Sequence, residues 1–334
     1  MSQYRVWGLD PASSKASTVF TLEATGAKEP GFQSYKRAEL ATRLCSTEPS
    51  SGFGPRDLLC WDAPLTGSPD PDLEGSSERI EEHYTGDLCT RVIEKYFGGG
   101  TVNWCVGAGK QWTHRFRPSG GEPSKAPPGI SVRGYAGLTH WTISRRLLGL
   151  PRVGRYDQPL DQLPARLLTE ETTTPPPVAL ARPSVVEVHP GLALWLWLRP
   201  PGRYTPPPSD DTQQSTSDDK NAWQYKKSQQ VLDAMWRDLR AHLLGTAGHI
   251  GPIREGVERV DAHILGASFS DDHLDAFVAW ALGILWVHQD AEDPRVTLFG
   301  DRRVGAMLLP GEDLVGEDLG ADFGKQVRER WPCN

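Results

Sequence analysis

Residues 6–11, Val6-Trp7-Gly8-Leu9-Asp10-Pro11, hold the pattern on which the fold turns: a short apolar run meets a carboxylate and is stopped by proline. The pattern recurs twice. Leu58-Leu59-Cys60-Trp61 runs into Asp62-Ala63-Pro64, and Val185-Val186 runs into Glu187-Val188-His189-Pro190. Short apolar runs bounded by turn formers read as buried strands. A single Asp before Pro is ordinary turn chemistry. Repetition points instead to one sheet edge where strand C-termini converge, which is where ligands sit in open α/β sheets. Neighbouring strands lie about 4.8 Å apart, so carboxylates at their ends can share one cation.

The stretch 270–282, Ser-Asp-Asp-His-Leu-Asp-Ala-Phe-Val-Ala-Trp-Ala-Leu, supplies the partner helix, predicted over 271–288. Leu274, Phe277, Val278, Ala281, Leu282 and Leu285 form an apolar stripe. Ala276, Ala279 and Gly283 add small residues that let a helix lie close to a sheet. Ser270 suits the N-cap, and acids in the first turn complement the helix dipole. Capping accounts for Asp271 and Asp272. It does not account for Asp275, a turn later beside the apolar stripe, where an unpaired carboxylate is expensive. Asp272 and Asp275, three residues apart, project from one side. Asp271, four residues before Asp275, is an alternative to Asp272.

Asp10, Asp62, Asp272 and Asp275 are therefore the expected metal ligands, with Glu187 as a further catalytic candidate. Like carboxylates about 4 Å apart repel by about 4 kcal/mol at an effective dielectric near 20. Protons or a divalent cation must offset that, and all-oxygen ligation favours magnesium or manganese over zinc. Two such ions about 3.5–4 Å apart would suit phosphodiester hydrolysis. His189 and His273 flank the acids, as structural residues or as proton carriers. Lys15, in the turn after Asp10, is a candidate phosphate contact.

The remaining pattern predicts a strand over 4–9 with a hairpin partner over 17–23, helices over 38–45, 138–148 and 221–244, helical stretches within 77–97, and a hairpin over 296–309. Alternating strands and helices without an internal repeat predict one α/β domain over 1–334 with a mixed sheet flanked by helices. Residues 100–183 form a basic, partly helical insertion between strands, 200–219 a Pro-rich loop, and 289–334 a C-terminal extension.

The net charge of −7 excludes a general nucleic-acid coat. Charge is uneven, however: residues 110–155 hold nine Lys or Arg, Arg133, Arg145 and Arg146 among them, against Glu122 alone. Trp112, Phe116, Tyr135 and Trp141 are interleaved, the make-up of a single-strand stacking platform or of a solvated basic loop over packed aromatics. No apolar run nears the roughly 18 residues of a membrane span, and the opening residues lack a signal-peptide layout, so a cytoplasmic location is expected. Five scattered cysteines without C-x-x-C spacing support neither a zinc ribbon nor a disulfide framework. Val106-Gly-Ala-Gly-Lys-Gln111 lacks the first glycine and the Ser/Thr of a phosphate-binding loop.

In order, GLDPASSK, WDAPLTG, VVEVHPG and DDHLDAFVAWALG resemble the domain of unknown function 429 family, predicted RNase H-fold nucleases. The first and last also resemble RuvC-type resolvases, while YKKSQQ from Tyr225 resembles the Tyr-Lys element that follows the Glu-x-His-Pro strand in the domain of unknown function 429 family. The resemblance implies an RNase H-like fold and a magnesium- or manganese-dependent nuclease acting on DNA or RNA. It makes Asp10 the carboxylate shared by both metals, Asp62 the central-strand acid and Asp272 with Asp275 the C-terminal pair. Glu187 has no resolvase counterpart. A homodimer is one option, since many such resolvases pair. The rivals are an ATP-binding phosphotransferase of the actin/sugar-kinase type, which lacks a credible second Asp-x-Gly domain here, and an inert nucleic-acid-binding module of the same fold.

Overall fold

The computed structural model describes residues 4–12, 15–23, 29–44, 53–62, 166–167, 183–198, 224–226, 228–289, 295–301 and 305–311. The three runs that end in acids are strands β1 (Arg5–Asp10), β4 (Asp57–Trp61) and β6 (Ser184–Glu187), paired side by side in parallel. β2 (Ser17–Thr21) and β3 (Gly31–Tyr35) extend the other side of β1 as an antiparallel meander. A two-residue strand, β5 (Arg166–Leu167), joins the far edge parallel to β6. The order β3-β2-β1-β4-β6-β5 makes a mixed sheet flanked by helices, an α/β architecture.

Both faces of this sheet are buried. Val6, Leu58, Cys60, Val186 and Val188 point into the main core, while Trp7, Leu9, Leu59, Trp61 and Val185 alternate onto the opposite face. Burial on both faces explains why these strands read as continuous apolar runs rather than alternating ones. At the opposite end of the strands, Arg5 holds Asp57 with two charge-assisted hydrogen bonds of 2.5 and 2.6 Å, pinning the β1–β4 register.

Among the described residues there are five α-helices, three of them where the sequence predicts helices. α1 (Arg37–Leu44) agrees with the helix expected at 38–45. α2 (Pro190–Leu198) starts at the proline that ends β6, a residue pre-organised for the first helical turn. α3 (Gln229–Ala247) begins later than the expected residue 221, because Gln224–Lys226 form a separate 3₁₀ turn and Ser228 caps the helix. α4 (Gly251–Gly266) buries Ile253, Gly256, Val257 and Val260. α5 (Asp271–His288) has the predicted bounds and packs across β1, β2 and β4. The hairpin β7 (Val296–Asp301) and β8 (Gly305–Pro310) completes the core, and Leu308 bridges to Val188 just past β6.

The approach of α5 to β1 depends on glycine. A Cβ on Gly8 would lie 2.1 Å from the Ala276 carbonyl oxygen and 2.3 Å from the Trp280 nitrogen. One on Gly283 would meet Cys60 Sγ at 2.4 Å. Trp280, trapped between Gly8 and Gly256, stacks edge-on against Phe20. Helix and sheet are thus in backbone contact along this seam, and every residue from Leu274 to Trp286 is buried. The expected helices within 77–97 and at 138–148, the bulk of the basic insertion and the Pro-rich loop lie outside the described residues. Among the described residues no helix is long and apolar enough to cross a membrane.

Candidate functional site

Parallel pairing sets Leu9 beside Trp61 and Trp61 beside Glu187, and the Asp62 amide donates to the Leu9 carbonyl at 3.0 Å. Asp10 and Asp62 are consequently next in register on adjacent strands and point to one face. This is the face that α5 covers, and Asp275 lies there, only 1% exposed. Glu187 occupies the position before that level. Strand alternation assigns it to the Leu9 and Trp61 face, opposite Asp10 and Asp62, where it is also buried.

Asp275 is held from outside α5. The Tyr225 hydroxyl donates to one carboxylate oxygen at 2.9 Å, and the Lys226 ammonium reaches the other at 2.7 Å. Both donors come from the 3₁₀ turn before α3. The second acid on α5, Asp272, is paired with Lys15 from the β1–β2 turn. Asp272 and Asp275 therefore each have their own lysine. Asp10 has none: it is buried, and among the described residues no hydrogen-bond donor reaches its carboxylate or that of Asp62.

The electrostatics follow from that arrangement. Burial, then Asp62 and Asp275, push the Asp10 carboxyl well above the usual carboxylate range, against a smaller pull from Lys226. Burial and Asp275 raise Asp62 in the same way, with Glu187 adding to the effect across the sheet. Asp271 is raised by burial, then by Asp272 and Asp275. Burial opposes the charge on Lys226, but Asp275, Tyr225, Asp10 and Asp62 together outweigh it and hold the ammonium protonated. Burial and the Asp275 charge keep Tyr225 a neutral phenol, hence a donor.

As the side chains stand, no group of three or more His, Cys, Asp or Glu among the described residues is arranged to hold a metal ion. The donor chemistry nevertheless fits a hard divalent cation. The acids are all oxygen donors, Asp10 and Asp275 are buried while Asp62 and Asp272 are partly exposed, they repel one another, and among the described residues no side-chain donor reaches Asp10. Asp10, Asp62 and Asp275 would hold such an ion, with Asp272 at the rim.

The flanking histidines have structural partners. His189 Nδ1 accepts from the Leu192 amide and so caps α2, while His273 completes a capping box with Ser270 at the start of α5. Arg133, Arg145 and Arg146 lie outside the described residues. Tyr225 and Lys226 were not among the expected site residues. Their one signal in the sequence is the YKKSQQ element, read there only as a family resemblance. Comparison with family models, with curated proteins and with solved structures found no match.

Proposed function

We propose that this protein is a magnesium- or manganese-dependent nuclease of the RNase H-like class, hydrolysing phosphodiester bonds in a nucleic acid. The observation that carries this reading is Asp10 at the end of β1, buried and without a side-chain donor among the described residues, next in register to Asp62 and on the sheet face that α5 covers with Asp275. Carboxylates gathered in that way repel unless protons or a cation offset their charge, and a divalent ion does so at neutral pH. The mixed sheet, antiparallel through β1–β3 and parallel through β1, β4 and β6 with a helix across β1, is consistent with the RNase H-like arrangement.

In this reading Asp10, Asp62 and Asp275 would hold a divalent ion, whose chemistry when bound would be to activate a water and offset charge at the phosphorus. Tyr225 fixes the orientation of Asp275. Lys15, paired with Asp272 and with a side chain 60% exposed, would turn to meet a phosphate. Glu187 acts through its charge on Asp62, from the other side of the sheet. The basic stretch 110–155 supports a polyanionic substrate.

The test is a cleavage assay with Mn²⁺ or Mg²⁺ on single-stranded, duplex and branched DNA and RNA. Cleavage is expected, and both Asp10→Ala and Asp275→Ala are expected to abolish it. The reading fails if no substrate is cut in a way that both substitutions remove.

A further inference from the structure

We propose that Lys226 is a built-in counter-ion that competes with the divalent cation for one oxygen of Asp275, so that loading the site requires its ammonium to leave. The inference rests on the metal-site reading above and adds to it a residue which that reading does not use.

The geometry divides the two oxygens of Asp275 between unlike partners. Tyr225, fully packed and neutral, donates to Oδ1 at 2.9 Å. Lys226 sits on Oδ2 at 2.7 Å, and its side chain is 56% exposed. A tyrosine held in the core cannot withdraw without moving the 3₁₀ turn. A lysine on a flexible four-carbon stem, open to solvent, can swing away by rotation about its own bonds. Oδ1 is thus fixed and Oδ2 is exchangeable. Oδ2 is the oxygen a cation shared with Asp10 and Asp62 would contest with Lys226, because Tyr225 already occupies one lone pair of Oδ1 and keeps it oriented toward the turn.

One positive charge serves the same end as another here. In metal-free protein, Lys226 reduces repulsion among Asp10, Asp62 and Asp275 and keeps α5 seated. In loaded protein the divalent ion takes over that task, and Lys226 is released to the solvent side of the site. Lys226 is then a positioning residue that sets the affinity for metal. A merely structural lysine would have a different signature, because its loss would loosen the site and weaken metal binding.

The experiment compares full-length wild type, Lys226→Met and Tyr225→Phe. Free Mn²⁺ is followed by electron paramagnetic resonance during titration, and thermal unfolding is measured in EDTA. Lys226→Met is expected to melt lower in EDTA yet to bind Mn²⁺ more tightly, by on the order of tenfold, because a competing charge has gone. Tyr225→Phe keeps the ammonium and is expected to bind Mn²⁺ no more tightly than wild type. If wild type takes up Mn²⁺ and Lys226→Met takes it up equally or less tightly, the competition is refuted while the metal reading stands. If no protein takes up Mn²⁺, the metal reading falls and the competition falls with it.

Discussion

The two ends of helix α5 do opposite things. From Ala276 to Trp286 the helix is dry and touches β1 backbone to backbone, with Gly8, Gly256 and Gly283 leaving room for Trp280, Cys60 and Val6. From Asp271 to Asp275 it brings acids to a site where Asp10 is already buried and Asp62 partly so. The first region is favourable by burial and the second is unfavourable by charge. A like-charged pair at about 4 Å costs about 4 kcal/mol at a dielectric near 20. Burying one large apolar side chain contributes about 1.5–3 kcal/mol, so two or three of the contacts along the seam offset such a pair. The lesson is that the packed seam holds the charged end in place, and the two should respond in opposite senses to perturbation.

The seam is the easiest to break. Gly8→Ala puts a methyl within 2.1 Å of a helix carbonyl and must push α5 off β1. It is expected to cost at least about 3 kcal/mol in urea unfolding, enough to abolish folding in a marginal background. The next effect is pH-dependent and also belongs to the dry side. His242 on α3 lies by Trp197, and burial lowers its pKa to about 4. A base depressed in the folded state favours folding fully above its unfolded value, near 6.5, and loses that contribution as pH falls toward about 4. Moving from pH 7 to pH 5 should therefore destabilise wild type through this residue by about 2 kcal/mol, and His242→Leu should remove that part of the pH dependence in urea titrations.

The charged end gives the smallest effect on stability and the reverse sign. The raised carboxyls of Asp10 and Asp62 gain protons in the folded state as pH falls, so they favour folding toward acid and disfavour it at neutral pH. Asp10→Asn removes that penalty. It is expected to raise stability at pH 7.5 by on the order of 1 kcal/mol in EDTA, with loss of any metal-dependent activity. A destabilised Asp10→Asn protein would show that the acids attract more than they repel, and the contrast between the two ends would then be wrong.

Much of this contrast can be read from residue order. The strand ends at Asp10, Asp62 and Glu187 and the full span of α5 follow from apolar runs and capping chemistry. Asp275 stood out because capping could not explain it. The elements that escaped did so for physical reasons. β3 buries Gln33 beside Tyr35, whose hydroxyl donates to it, so a polar residue breaks the apolar alternation. α2 is apolar on nearly every side because it is buried on nearly every side, and such a helix has no amphipathic period. α3 begins after the expected point because Tyr225 and Lys226 are engaged with Asp275, about 50 residues later, a long-range tie that no local pattern encodes. Glu187 ends its strand as Asp10 does, but pairs with Trp61 rather than lying level with Asp62, and strand parity turns it to the other face.

The seam also links the chain's synthesis to its solubility. β1 through β3 are made early, and the helix that covers their Val6 and Phe20 face begins only at Asp271. At about 5–20 residues per second, that cover reaches the ribosome's exit roughly 15–50 s after the strands it protects. For that interval the half-sheet offers an apolar face to other nascent chains. Its glycine-lined groove, shaped to admit one helix closely, is then a sticky surface awaiting its own C-terminal partner.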